Sequence, residues 1–124
     1  MIILKWFAII FGIAEIVSNS FHLLKGKLTL IGESGRLQHQ ELPKDISNIH
    51  YFIKVLIMAI FGLLFTLAAI IAFIDAKNLA LLQCTAISFG VYGLIQAFVY
   101  FKEIKVWLAV IVYNIPLILL YFGL

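Results

Sequence analysis

The 124-residue chain is 65% hydrophobic and only 12% charged, with a formal net charge of +3. A water-soluble domain is about half apolar and a quarter charged, and a chain this small has too much surface for its volume to hide such an excess. These proportions exclude a soluble enzyme, a disordered tail and a disulfide scaffold, and they make lipid part of the solvent.

Four segments are long and apolar enough to cross a bilayer core of about 30 Å, a span that takes about 20 helical residues. They run from about Ile2 to Leu24, Ile49 to Ile74, Leu79 to Phe101 and Ile104 to Leu124. Helix is the economical conformation because lipid offers no partner to a free backbone N–H or C=O. The apolar and polar residues do not alternate as they would along a barrel strand. The pattern predicts an all-α integral membrane protein, residues 1–124 forming one domain, a bundle of four antiparallel transmembrane helices.

The first span carries Glu15. Lys5 before an apolar run and Ser18-Asn19-Ser20 behind it have the outline of a signal peptide, but Glu15 interrupts the apolar region, so the segment reads as a retained helix. Glu15 lies about 13 residues into a helix that rises about 1.5 Å per residue, roughly 20 Å from the near end. An ionisable group at that depth is costly and marks either function or a buried partner. Glu15, Ser18, Asn19 and His22 recur at i, i+3, i+4 and i+7 and share one stripe, which must face a bundle interior or a wet cavity.

The connection over residues 25–48 contains Gly26, Gly32, Gly35 and Pro43 and reads as a polar connector or a docking surface. It lacks the GxxxxGK pattern of a phosphate cradle. The second span opens with His50 and Lys54 at i and i+4. Lys54 is long enough to lean toward Glu15, and a lysine near a span end most often carries its ammonium to the surface. The breaks at 75–78 and 102–105 are short, so the spans they join are neighbours.

The third span carries Thr85, Ser88, Tyr92 and Gln96 on one stripe. The fourth brings Tyr113 and Asn114 to mid-depth beside Pro116, which cannot donate an N–H and bends or breaks a helix. Polar groups inside membrane helices serve either as interhelical glue or as ligand contacts. The candidate ligand-binding residues are therefore Glu15, Asn19, His22, Lys54, Tyr92, Gln96 and Asn114.

Basic residues are distributed unevenly. Lys25, Lys27, Arg36, Lys44, Lys54, Lys102 and Lys105 fall on one side, Lys5 and Lys77 on the other. The positive-inside rule then places 25–48 in the cytoplasm of a plasma or inner membrane protein, with both termini outside. The polar groups gather in the cytoplasmic half, which predicts a chamber open on that side.

Cys84 is alone, so thiol-pair redox chemistry is excluded. His22, His39, His50 and the acids between them match no metal-ligand spacing, and no cofactor is expected. No nucleophile–base pair or paired-carboxylate motif marks an enzyme. The expected function is binding or transport of a small solute or ion at an intramembrane glutamate, a transporter-like role. Four helices leave little room for a complete pathway, so a homo-oligomer is expected. The alternative is a non-catalytic assembly subunit of a larger membrane complex, and a metal- or haem-dependent redox protein ranks below both. Partners are the lipid bilayer and other membrane chains, with no nucleic acid.

Overall fold

The computed structural model describes residues 1–124 and is all-helical. Its elements are α1 (Ile2–Leu23), α2 (Leu28–Gln38), α3 (Asn48–Ile74), α4 (Ala80–Val99), α5 (Ile104–Tyr113) and α6 (Ile115–Tyr121). Four stretches, Ile2–Leu23, Asn48–Ile74, Ala80–Val99 and Ile104–Tyr121, are long and apolar enough to cross a membrane. Their outer faces are apolar: Ile10, Ile60, Ile95, Phe98 and Ile111 are each more than half exposed. A soluble protein does not leave such a surface bare.

The fourth stretch is two helices meeting at Asn114. Pro116 has no N–H for the carbonyl four residues earlier, so the hydrogen-bond ladder is interrupted where the sequence places the proline. Backbone angles at Asn114 stay in the right-handed region, and Ile118 N–H bonds the Asn114 carbonyl at 2.9 Å, so the second helix restarts directly.

Two glycines set the closest helix approach. A Cβ at Gly12 would lie 2.7 Å from the Thr66 amide nitrogen and 2.9 Å from the Gly62 carbonyl oxygen. One at Gly62 would lie 2.6 Å from the Ile16 amide nitrogen. The α1 and α3 backbones therefore touch, as small residues permit between membrane helices. Below this crossing, Leu4, Ala8, Ala68, Ala69, Ala72 and Leu82 fill the core. Phe11, Phe65 and Phe89 meet at steep ring angles at its centre, with centroids 5.3–5.6 Å apart, a favoured aromatic geometry. The two chain ends meet, the Met1 ammonium donating to the Gly123 carbonyl at 3.1 Å.

The connector expected at 25–48 instead contains α2, which packs along α3. Gly32 and Gly35 look like loop punctuation, because glycine weakens a helix by about 1 kcal/mol relative to alanine. Here they are the contact face. A Cβ at Gly32 would strike the Asn48 carbonyl oxygen, and one at Gly35 would strike Val55 Cγ2. Arg36, on the same helix, fastens the chain that follows. Its guanidinium donates to the Lys44 and Ile46 carbonyls, each at 2.8 Å, and to Asn48 Oδ1 at 2.9 Å. It also lies 4.3 Å from the centroid of the Tyr51 ring. Residues 39–46 are thereby drawn over one end of the helices as a strap.

Candidate functional site

Two polar clusters lie under the strap. The first is built on α1. Asn19 is fully buried; its Nδ2 donates to the Glu15 carbonyl at 2.7 Å and to Glu15 Oε2 at 2.9 Å. With both bonds made by the amide nitrogen, Asn19 Oδ1 is left to accept from His39 Nε2, at 2.8 Å. That assignment places the proton of neutral His39 on Nε2. Burial pushes the His39 imidazole down to about 4, and the nearby Lys54 ammonium and His22 push the same way against Glu41. His39 is therefore neutral at physiological pH. Glu15 Oε1 accepts no hydrogen bond from the chain and is not sealed from solvent.

The second cluster centres on Lys54, only 2% exposed. Its Nζ lies 3.0 Å from Glu41 Oε1, donates to Gln96 Oε1 at 2.6 Å and donates to the Tyr113 hydroxyl. Tyr113 in turn donates to Glu41 Oε1 at 3.1 Å, and Tyr92 donates to Gln96 Oε1 at 3.1 Å. The ammonium also stands over the Tyr92 and Tyr113 rings, 4.9 and 4.5 Å from their centroids, a cation–π arrangement that gains strength where water is excluded. The expectation that Lys54 carries its charge to the surface is corrected: α3 positions it toward Gln96 and Tyr113, and the strap brings Glu41 down to meet it. Burial alone would raise the Glu41 carboxyl, but the Lys54 charge, a backbone hydrogen bond and the direct Lys54 contact outweigh this and hold it below the usual carboxylate range.

The clusters meet at an open-sided cavity of about 370 Å³. Glu15, His39, Glu41 and Tyr113 line its polar part; Phe11, Met58, Phe89, Ala109 and Val112 line the rest. Gln38 and Val112 are exposed at its margin. The cavity falls within the usual size range of small-molecule sites and has their composition, mostly apolar with a few convergent polar groups. His22, His39 and the neighbouring acids form no group of three side chains able to hold a metal ion.

Of the residues expected to form a site, Glu15 and Asn19 share one cluster, and Lys54, Tyr92 and Gln96 share the other. His22 lies beside the first cluster without bonding to it, its ring centroid 6.5 Å from that of His39; its Nε2 donates to Gln38 Oε1 at 2.7 Å while Nδ1 meets the Ser34 hydroxyl. Gln38 closes that group by donating to Ser18 Oγ at 3.0 Å. Asn114 is turned away, donating to the Val110 carbonyl of its own helix at 2.8 Å. Sequence reasoning does not reach His39, Glu41 and Tyr113 as site residues. A signal for the acid is present all the same: a lysine inside a span needs a counter-charge, and helical spacing offers Glu15 for that part while Glu41 sits beside Pro43 in what reads as a connector.

Comparison with protein families, with curated proteins and with solved structures finds no match to this chain.

Proposed function

We propose that the chain is a membrane protein of four antiparallel transmembrane helices, both termini outside and residues 25–48 on the cytoplasmic face, that binds or moves a small solute or ion beside Glu15. One observation carries the reading: an open cavity in which Glu15 presents a carboxylate oxygen that the chain does not bond. A carboxylate inside a span is retained at a cost, and such groups mark ligand and ion pathways. The orientation rests on the basic residues gathered at the strap end.

The assembly reading needs Glu15, Ser18, Asn19 and His22 to bond a partner helix. Each of these already has a partner within the chain, which favours a ligand over a docking helix at this stripe. Association of copies through other faces is compatible with either reading.

A melting series tests the proposal. Purified protein in detergent is heated with Na⁺, K⁺, ammonium, acetate or glycine betaine. A ligand that binds the native state raises Tm according to its occupancy. At least one of these solutes raises Tm of the wild type and leaves Glu15→Gln unmoved. A wild type that responds to none of them, or a Glu15→Gln variant that responds equally, contradicts the reading.

A further inference from the structure

We propose that the cavity beside Glu15 takes a small amphiphilic amine, its ammonium between Glu15 and Glu41 and its apolar tail against Phe11 and Phe89. This rests on the ligand-binding reading above and names the class of solute.

Glu15, His39, Glu41 and Tyr113 are the titratable groups that line this space, from α1, the strap and α5; Lys54 and Tyr92 lie behind them, bonded to Glu41 and Gln96. Lys54 is spent on Glu41, in direct contact at 3.0 Å. His39 is neutral and the two tyrosines are hydroxyl donors. With Glu15 ionised the cluster holds one negative charge without a counter-charge. A carboxylate in a mostly apolar cavity gains from a counter-charge, so the site favours a ligand bearing one positive charge.

The hydrogen-bond inventory points the same way. Near the open Glu15 oxygen the donors are already committed: Asn19 Nδ2 to Glu15, His39 Nε2 to Asn19, Tyr113 to Glu41. What remains at this cavity is acceptor capacity; the one buried donor without a partner, Gln96 Nε2, belongs to the Lys54 cluster and does not line it. A ligand head must therefore donate, which an amine does and a carboxylate does not.

The shape supplies the tail. Polar groups occupy one part of the cavity, while Phe11, Met58, Phe89, Ala109 and Val112 form the rest. Phe89 and Tyr113 stand with centroids 4.7 Å apart, and Phe11 and Phe89 5.3 Å apart. These rings accept an alkyl chain, and the face of an aromatic ring also attracts an ammonium. The cavity lies between α1 on one side and α5 on the other, and exposed Val112 on its margin sits on an apolar helix face. That margin offers entry to a molecule already dissolved in the bilayer.

Three probes of equal chain length separate the alternatives: hexylamine, hexanol and hexanoate. Ala109→Cys is made in a Cys84→Ser background, and the rate at which the new thiol is modified by a small charged thiol reagent is measured with each probe. Hexylamine slows the reaction about tenfold more than hexanol, the scale of one favourable charge contact, and hexanoate gives no protection. Glu15→Gln brings hexylamine to the level of hexanol. Gln38→Lys, at an exposed position on the margin, does the same; it gives up the bonds of Gln38 to His22 and Ser18 and touches none of the bonds within the Glu15 and Lys54 clusters. Equal protection by hexanol overturns the amine assignment while leaving a solute-binding cavity. Protection by hexanoate, or by none of the three when the thiol at position 109 is reactive, also overturns it. A thiol at that position that does not react at all removes both the amine and the ligand-binding reading.

Discussion

Lys54 Nζ and Glu41 Oε1 stand 3.0 Å apart with the lysine almost wholly buried, so a residue of α3 inside a span is neutralised by a residue of the strap outside it. The contact ties the position of the strap to the electrostatics of the helix bundle. Removing one partner leaves the other as an unpaired charge in a low-dielectric place, which costs about 3–5 kcal/mol, whereas removing both is close to neutral. Lys54→Met is therefore expected to lower the stability of the detergent-solubilised protein by about that amount. Lys54→Met with Glu41→Gln should recover most of it. A double-mutant cycle on unfolding midpoints measures the coupling.

His39 makes the strap sensitive to pH. Its imidazole is held at about 4 in the folded protein, against an ordinary value of about 6.5. Between those values the unfolded chain takes up a proton that the folded one does not, so stability falls as pH falls. The loss begins near pH 6.5, grows by at most about 1.4 kcal/mol per pH unit, and levels off near pH 4. Glu41, held low, contributes a further loss on acidification, below the ordinary carboxylate range. Tm measured from pH 7 to pH 5 should fall in the wild type and fall less in His39→Gln.

The α1–α3 crossing leaves no space for a side chain. At Gly12, besides the side-chain hydroxyl of Thr66, the obstructing atoms are the Thr66 amide nitrogen and the Gly62 carbonyl oxygen. These belong to the backbone and cannot rotate away. Gly12→Ala must separate the helices, at a cost of about 1–3 kcal/mol. The comparison is Gly26→Ala. A Cβ there meets nothing within 4 Å, but φ is +79° and the substitution is strained for a different, local reason. Gly12→Ala should broaden the unfolding transition and loosen the packing around Phe11 and Phe65. Gly26→Ala should leave those two rings unaffected, as NMR of labelled phenylalanines can report.

Arg36 holds the strap by geometry that lysine cannot copy. Three oxygens, from Lys44, Ile46 and Asn48, accept from one planar guanidinium that also covers the Tyr51 ring. A lysine keeps the charge but loses the fork and the stacking. Arg36→Lys should lower stability by about 1–3 kcal/mol and raise the rate of proteolytic cleavage within residues 39–46, with little change in the rate of cleavage at residues 75–78.

The apolar runs are readable from composition alone, because a 20-residue run with few charges has few fates other than a membrane-crossing helix. The break at Asn114 is readable for the same kind of reason: Pro116 lacks a donor wherever it stands. The pairing of Glu15 with Asn19 follows from helical spacing. What periodicity cannot supply is the strap. Gly32 and Gly35 carry the signature of a loop, and only the neighbouring Asn48 and Val55 reveal them as a contact face. Glu41 and His39 read as solvated connector residues because nothing in their local sequence says that α2 will carry them inward. Lys54 reads as a surface lysine for the same cause: its partner belongs to an element that the glycines disguise.

The proposed ligand site requires that the space beside Glu15 admit a small molecule from outside the protein. In a Cys84→Ser background, Ala109→Cys lines that space, and Ala69→Cys, fully buried in the core, provides the comparison. Both variants are exposed to a small charged thiol reagent in lipid vesicles. The thiol at position 109 should be modified readily while the one at position 69 stays inert. Equal inertness at the two positions would contradict the proposed site.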